Sequence, residues 1–309
     1  MIFYLCVAGA IAAPLCIASC IGSMLWLKIK QEKYKTDKDV SFKILHISDF
    51  HSTSLKRTNE RMWEKIHALD FDVVALTGDI LQSRVGELMP IRSHLQRLTA
   101  RAPVFFVDGN HEEYIYTEVY RELEKLGVIC LENRRLRLKI NGGEIDVVGV
   151  ADYKRLKRER FLPVRRAFSM NHGDGLSVLH RKHNSPSVLQ REAEGPSPCF
   201  MLVLSHQPSV IEKIEKYSPD LMLCGHTHGG QVRFPFLPAL YAPGQGLFPR
   251  YDHGWYRVGD TDVFISKGIG ATTFPVRFYN RPEVAVIEVC SSSMEIHDKV
   301  SNKNHISII

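Results

Sequence analysis

The stretch LMLCGHTHGGQ, residues 221–231, contains the pattern on which the fold and the site of this chain are organised. Its four leading apolar residues are typical of a short buried strand, and a glycine and two histidines follow at once. His226 and His228 are two residues apart, so in extended backbone both side chains point to the same side. Open α/β sheets bind ligands just beyond the carboxyl ends of their strands. The stretch therefore predicts a strand that ends in a ligand-binding loop.

Polar residues follow four other apolar runs in the same way. Each of these clusters supplies an oxygen or an imidazole, and their glycines allow tight turns and close approach of the backbone. A single such cluster is usually an ordinary turn, but five of them, each at the end of a strand, indicate a metal site. The four clusters are Asp49-Phe50-His51, Gly78-Asp79, Gly109-Asn110-His111 and Ser205-His206.

Strand-like and helix-like segments alternate along the chain and predict an α/β body. The later strands resemble those of hairpins and suggest a second, more antiparallel sheet. Strand-like runs cover residues 43–48, 73–78, 104–108, 145–150, 200–205, 221–225, 263–266 and 284–289, and helix-like stretches cover residues 57–69, 87–99, 117–126 and 210–217.

Composition excludes several classes of protein. The 309 residues are 44% hydrophobic and 24% charged, which excludes a disordered, collagen-like or coiled-coil chain. Seven cysteines without a CxxC spacing argue against a disulfide scaffold or zinc knuckle and favour reduced thiols. The formal net charge is +6, and residues 154–166 alone carry seven bases and one acid. This indicates one local anion-attracting patch, and a nucleic-acid partner is not expected.

The N-terminal segment is expected to be a membrane anchor. Residues 2–27 contain no charged side chain, and about 20 apolar residues suffice to cross a bilayer. Five lysines between residues 28 and 38 follow the segment. The positive-inside rule therefore predicts a single-pass protein of the inner (cytoplasmic) membrane with its catalytic domain in the cytoplasm. A secretory signal would need a basic start, which is missing, whereas lipoprotein-type processing at Cys20 stays open.

The chain is expected to divide into four parts. Residues 1–27 form the transmembrane anchor, 28–41 a charged linker, 42–290 the main folded domain, and 291–309 a polar tail. Within the domain, the polar stretch 165–199 is long enough to be a lid over the site or an insertion.

Seven of the clustered side chains form a candidate ligand set of oxygens and imidazoles without a thiolate. Such a set suits manganese, the expected ion, with iron or zinc as alternatives. One catalytic ion usually takes three protein ligands, so seven indicate two ions about 3.5–4 Å apart, a clamp for phosphoryl transfer. The seven residues are Asp49, His51, Asp79, Asn110, His206, His226 and His228.

The ordered motifs DxH, GD, GNHE, SH and GHTHGGQ resemble those of the calcineurin-like metallophosphoesterases over residues 42–289. The resemblance implies an αββα sandwich of two mixed sheets flanked by helices, with a dinuclear catalytic site. No motif position is missing, which favours an active enzyme. By motif, the resemblance implies that Asp49, His51 and His228 hold one ion and Asn110, His206 and His226 the other, that Asp79 bridges them, and that His111 binds the phosphate and protonates the leaving group.

The expected substrate is a lipid-linked phosphate, because the anchor would hold the site near a bilayer. Residues 266–283 resemble the membrane-anchored bacterial branch of the family, which includes enzymes of lipid A synthesis that hydrolyse UDP-2,3-diacylglucosamine to UMP and 2,3-diacylglucosamine 1-phosphate. This similarity implies that Arg277 lies near the substrate phosphate. From the basic patch, Arg155 and Arg158 are candidates to bind an anionic headgroup, although a solvated face or a contact with anionic lipid would explain them equally well.

Two alternatives remain at this stage. A phosphodiesterase for another lipid, a nucleotide or a nucleic acid would use the same ions, although the expected anchor argues against nucleic acid. A non-enzymatic membrane scaffold would tolerate loss of the ligands.

Overall fold

All eight expected strands are present in the structure, a computed structural model that describes residues 26–51, 56–158, 162–169, 199–233, 237–270 and 277–292. Their ends differ from the expected ones by at most two residues. The strands are β1 (Lys28–Thr36), β2 (Phe42–Ile47), β3 (Val73–Thr77), β4 (Val104–Val107), β5 (Ile129–Cys130), β6 (Arg135–Ile140), β7 (Gly143–Val150), β8 (Phe200–Ser205), β9 (Leu221–Cys224), β10 (Tyr241–Ala242), β11 (Gly246–Leu247), β12 (Gly254–Val258), β13 (Thr261–Ile265) and β14 (Glu283–Ser291).

Two six-stranded mixed sheets carry the fold. The first has the order β1-β14-β2-β3-β4-β5 and the second β12-β13-β9-β8-β7-β6. Strands β2 to β5 are parallel to one another, as are β7, β8, β9 and β13. Apolar side chains of both sheets, among them Ile44, Phe105, Phe200 and Leu223, form one buried cluster, so the sheets pack face to face. The loops after the parallel strands are therefore brought together.

Helices cover the outer faces of the two sheets. Trp63 and Leu95 pack in a cluster with side chains of the first sheet, and Leu156 and Ile211 pack in a cluster with side chains of the second. The layers are thus helices, sheet, sheet and helices, an α/β fold with mixed sheets. The helices are α1 (Lys56–His67), α2 (Arg92–Thr99), α3 (Tyr116–Lys125), α4 (Tyr153–Arg158), α5 (Leu162–Ser169) and α6 (Ile211–Ile214).

Two of the expected helices are interrupted. The stretch expected to be helical from residue 87 to 99 begins as the 3₁₀ helix Val85–Ile91, which contains Pro90, and only then continues as α2. Proline lacks the N–H that an α-helix requires in its interior, which accounts for the break. Helix α6 is likewise a single short segment between the 3₁₀ turns Pro208–Val210 and Glu215–Tyr217.

The expected charged linker forms a strand instead. Residues 28–36 form β1, which pairs in parallel with β14 at the edge of the first sheet. Its lysines interrupt the apolar pattern by which a strand is predicted from sequence. Charged residues are nevertheless common on edge strands because they discourage pairing with other chains. The aromatic ring of Tyr34 stacks on Trp255, with the ring centroids 5.8 Å apart, and contacts Phe200 edge-on. This strand therefore helps to join the two sheets.

Three expectations fall outside the described residues, wholly or in part. The expected anchor does so up to residue 25, the expected lid from residue 170 to 198, and the expected tail from residue 293 onward. Within the described ranges, no helix combines the length and apolar character that a membrane span requires.

Candidate metal centre

The seven candidate ligands converge where the two sheets meet. Those of the first sheet follow β2, β3 and β4, and those of the second follow β8 and β9. Six of them are buried, with at most 8% of the residue surface exposed, and Asn110 is half-buried. Burial of so many imidazoles and carboxylates in one place requires compensating interactions, since charged and polar groups are costly to remove from water.

The first group consists of Asp49, His51 and His228, whose ligand atoms lie within 4.8 Å of one another. His228 Nε2 is 3.4 Å from Asp49 Oδ1 and 3.2 Å from His51 Nε2. Asp49 and His51 both have a backbone φ of 51°, the left-handed region that residues with a Cβ rarely occupy. The hydroxyl of Ser48 donates a 2.6 Å hydrogen bond to Asp49 Oδ2 and helps to fix that carboxylate.

The second group consists of Asp79, His206 and His226, which also lie within 4.8 Å by their ligand atoms. His206 Nε2 is 3.2 Å from Asp79 Oδ2 and 3.1 Å from His226 Nδ1. The other ring nitrogen of His206, Nδ1, bonds to the Thr77 carbonyl at 2.8 Å. A backbone carbonyl on one ring nitrogen orients the imidazole and leaves the other nitrogen for a metal.

Asp79 belongs to the second group and also faces the first. Its Oδ2 atom is 3.2 Å from His206 Nε2 on one side and 3.8 Å from His51 Nε2 on the other. The Nε2 atom of His111 lies 3.9 Å from the same oxygen, and the backbone N–H of His111 donates to Asp79 Oδ1 at 2.9 Å. One carboxylate therefore faces both groups and also positions the His111 segment.

The donor atoms fit two divalent cations. Burial lowers the pKa of His51 to about 4 and that of His226 to about 3, so both are neutral imidazoles, the form that binds metals. Burial also raises the pKa of Asp49 to about 6, a cost that an adjacent cation would offset. Asn110 Oδ1 and His226 Nε2 are buried without a hydrogen-bond partner among the described residues. A cation bound between them would satisfy both acceptors.

Comparison with known proteins identifies the family. The model of the family described as calcineurin-like phosphoesterase matches residues 42–230. The chain belongs to this family. Since relatives carry phosphoesterase and phosphodiesterase names and the ligand groups are in place, this phosphoesterase is a metal-dependent phosphoester hydrolase. That conclusion favours the enzyme over the non-enzymatic scaffold.

Three relatives show how far the similarity extends. The chain is 27% identical over 252 residues to the uncharacterized metallophosphoesterase YkoQ of Bacillus subtilis, covering 80% of this chain and 83% of the relative. It is 26% identical over 295 residues to the phosphodiesterase YaeI of Escherichia coli, covering 91% and 96%. It is 29% identical over 258 residues to a bovine transmembrane protein with a metallophosphoesterase domain, covering 79% of this chain and 52% of that protein.

Glu112 is an organising residue of this phosphoesterase to which the sequence analysis gave no role. Its fully buried carboxylate accepts backbone N–H groups of Asp79, Leu81 and Gly109, each at 2.9 Å. It thus ties the loop after β3 to the loop after β4. Burial, together with the charge of Asp79, raises the pKa of Glu112 to about 8, which the backbone donors oppose. The sequence feature that could have identified Glu112 was its place next to Asn110-His111 in the GNHE motif.

Arg277, which the resemblance implied to lie near the substrate phosphate, lies beside the candidate metal ligand His228. Its Nη2 atom is 3.4 Å from His228 Nδ1, and the guanidinium donates to the carbonyls of Lys267 at 2.9 Å and Gly268 at 3.2 Å. Only 1% of the residue is exposed. Nearby, the side-chain amide of Asn280 donates a 2.6 Å hydrogen bond to the His228 carbonyl. These two side chains stabilise the His228 loop, Arg277 at the His228 ring and Asn280 at its backbone carbonyl.

The two arginines of the basic patch occupy different environments. Arg155 is 3% exposed, and its guanidinium forms ion pairs with Asp108 at 3.3 Å and Glu132 at 3.0 Å. It is thus held inside the protein by two carboxylates and is not presented to solvent, as a headgroup contact would require. Arg158 has a side chain that is 57% exposed and pairs with Glu113 at 2.9 Å, two residues after His111. Arg158 therefore reaches the segment that follows His111.

Proposed function

We propose that this phosphoesterase hydrolyses a lipid-borne phosphate at a membrane surface. The substrate that we put first is UDP-2,3-diacylglucosamine, cleaved to UMP and 2,3-diacylglucosamine 1-phosphate. The observation that carries the proposal is the position of the chain that follows the uncharged segment. Strand β1 begins directly after that segment, at Lys28. It begins at the edge of the first sheet where the candidate metal ligands lie, here called the metal edge.

A short series of contacts links the start of β1 to the metal ligands. The Lys28 N–H donates to the Pro282 carbonyl at 2.8 Å, and the neighbouring Glu283 N–H donates to the Gly268 carbonyl at 3.0 Å. Gly268 packs so tightly against Asp49 that a Cβ on it would lie 2.5 Å from the Asp49 Cβ. If residues 2–27 are a membrane anchor, they would therefore hold the metal edge next to the bilayer.

The residues of the site can be given roles in such a hydrolysis. Two divalent ions held there would supply positive charge that polarises the phosphoryl group and activates a water molecule. His111 Nδ1 bonds to the Gln82 carbonyl at 2.7 Å, which fixes the ring with Nε2 towards the centre. That nitrogen is placed to bind the phosphate and to protonate the leaving oxygen. Arg277 adds a positive charge beside His228.

The membrane location is part of the proposal and has two supports. Lysines follow the uncharged segment, as expected for an anchor whose domain lies in the cytoplasm. The bovine relative is named as a transmembrane protein. The location is tested by extracting membranes of the producing cell at high pH. The chain should stay in the membrane pellet, and recovery in the supernatant would contradict the anchor.

The substrate is tested with the full chain in detergent. We expect UMP release from UDP-2,3-diacylglucosamine with Mn²⁺, lost on adding a chelator and in the Asp79→Ala variant. Asp39→Asn is the matched control, because Asp39 is an exposed acid beyond the far end of β1 and should leave the rate unchanged. Absence of UMP from a protein that still hydrolyses bis(p-nitrophenyl) phosphate would overturn the lipid A substrate and keep the hydrolase.

A second candidate is a phosphodiesterase with another substrate. It is favoured by the similarity to the phosphodiesterase YaeI, of which 96% is covered. A nucleic-acid substrate would show a steep loss of affinity as salt is raised, because each phosphate contact releases counterions. A small diester would show a much weaker dependence on salt.

A further inference from the structure

Large exposed apolar side chains gather on a few segments of the protein. Among the described residues, eight large hydrophobic side chains are exposed: Met89 and Tyr114 lie on the segments after β3 and β4, and the other six lie just before β1 and on the segments that follow His228 and β13. Single exposed apolar residues are ordinary on a soluble surface, but a cluster marks an interaction site. The six residues, here called the apolar rim, are Trp26, Leu237, Tyr241, Leu247, Phe248 and Tyr279.

Half of the apolar rim comes from the small β10–β11 hairpin. Tyr241 and Leu247 are cross-strand partners in it, and Phe248 follows directly. Leu247 is 73% exposed and Phe248 is 70% exposed. The tip of this hairpin lies against the metal centre, since a Cβ on Gly244 would be 3.0 Å from His226 Nε2. The hairpin therefore borders the centre and presents its large side chains to the outside.

The remaining aromatic residues of the rim lie at the start of β1 and in the segment that supports His228. Trp26 is 63% exposed, and the Arg281 guanidinium lies 5.7 Å from the centroid of its ring. Tyr279 precedes Asn280, the residue that holds the His228 carbonyl. Tryptophan and tyrosine are the residues that membrane proteins place at the boundary between headgroups and hydrocarbon.

Basic side chains accompany the rim. Lys28 and Arg281 are exposed near Trp26, and Lys154 and Lys157 are exposed on α4, which follows the carboxyl end of β7. Lysines and arginines next to apolar residues are attracted to the anionic lipids of a cytoplasmic leaflet.

We propose that the apolar rim inserts into the surface of an anionic lipid bilayer and so holds the metal centre against that surface. The proposal deepens the membrane location and lipid substrate proposed above and rests on them. A bilayer is the occupant that the chain itself supplies, because the uncharged residues 2–27 end at the rim. A lipid-borne phosphate could then reach the ligands while its acyl chains stay in the membrane.

The far end of the same sheet provides an internal control. Strand β1 has nine residues and spans about 30 Å, so its last residue, Thr36, is directed away from the rim. Asp39 follows this end and is exposed. A bilayer that contacts the rim should therefore leave Asp39 in water.

The test uses tryptophan substitutions in the full chain reconstituted into vesicles of phosphatidylglycerol and brominated phosphatidylcholine. Bromine quenches the fluorescence of tryptophan that lies within the bilayer. The fluorescence that a variant adds to that of the wild type comes from its new tryptophan, and the quenching of this added fluorescence reports how deep the new residue lies. Phe248→Trp should be quenched at least threefold more than Asp39→Trp, and replacing phosphatidylglycerol with a neutral lipid should weaken the difference. Equal quenching of the two variants would overturn the proposal.

Two further readouts separate this proposal from the others. Mn²⁺-dependent hydrolysis of bis(p-nitrophenyl) phosphate by both variants shows whether the hydrolase is intact, whatever the quenching result. The alternative is that the rim contacts a second copy of the chain. In that case the Phe248→Trp side chain would be shielded from solvent in detergent by a dimer, and Leu247→Asp would dissociate that dimer. This result would show that the bilayer proposal is wrong.

Discussion

Asp79 and His206 face each other across the junction of the two sheets, with Asp79 Oδ2 3.2 Å from His206 Nε2. Asp79 follows β3 of the first sheet, and His206 follows β8 of the second. The candidate centre is therefore assembled only when both sheets are folded and packed. Metal binding and folding should accordingly be coupled.

Removal of metal should lower the melting temperature of the full chain in detergent. A ligand present at 100 times its dissociation constant stabilises the folded state by about 2.7 kcal/mol. In a domain of this size that corresponds to a fall of roughly 5–10 °C on adding chelator. Differential scanning fluorimetry, with Mn²⁺ added back, measures the shift. An unchanged melting temperature, in wild type and in Asp79→Ala alike, would contradict the coupling.

Gly109→Ala should abolish most of the activity. A Cβ at this position would contact Asp79 Oδ1 and lie 2.6 Å from the Asp79 backbone nitrogen, so the Asp79 carboxylate must move. A displacement of about 1 Å can cost on the order of 100-fold in rate. Gly86→Ala is the matched control, because nothing lies within 4 Å of a Cβ there. Steady-state hydrolysis of bis(p-nitrophenyl) phosphate gives both rates, and equal rates would contradict the close packing.

His111→Gln should slow the reaction without removing metal. Acid catalysis by a positioned side chain typically contributes 10²–10⁴-fold, and His111, with 22% of its side chain exposed, is the imidazole at the mouth of the centre. The loss should be largest for substrates with a basic leaving group and small for p-nitrophenolate, which needs no proton. Rates on alkyl and aryl esters test this. The same loss for both would argue against an acid role.

Acid should destabilise the metal-free protein in part through His46. Burial lowers the pKa of His46 to about 3, and its Nε2 atom lies 2.8 Å from Thr77 Oγ1. Because the folded state resists a proton that the unfolded state accepts near pH 6.5, stability is lost as pH falls from about 6.5 towards 3. Each such histidine contributes about 1.4 kcal/mol per pH unit in that window.

The His46→Gln variant isolates this contribution. Glutamine keeps a polar group near Thr77 but does not titrate, so the free energy of unfolding should depend less steeply on pH below 6.5. Denaturant titrations between pH 6.5 and 4.5, with chelator present in both proteins, measure the two slopes. Identical slopes would show that His46 does not contribute.

The strands that carry ligands could be predicted from sequence because each couples two strong signals. An apolar run such as Leu221–Cys224 indicates burial, and the polar cluster after it marks the end of the strand. Strand β1 lacks both signals, since four of its nine residues are lysines and all but the last are exposed or half-buried. Its identity depends on pairing with β14, almost the whole chain away, which no local pattern contains.

The role of Glu112 was missed for a different reason. Its place in the GNHE motif marked it, but its function is to accept three backbone N–H groups, and those contacts exist only in the folded chain. For Arg155 the sequence pattern was misleading, because the residue belongs to a basic run that is typical of a solvent-exposed patch. The fold buries it between Asp108 and Glu132, which are far from it in sequence.

The central claim, a two-ion centre bridged by Asp79, is tested most directly by counting metal. Elemental analysis by mass spectrometry of the full chain, after equilibration with Mn²⁺ and removal of excess ion, should give two ions per chain. Asp79→Ala should retain at most one, and Asp39→Asn should retain both. One ion or fewer in the wild type, or two in Asp79→Ala, would contradict the account.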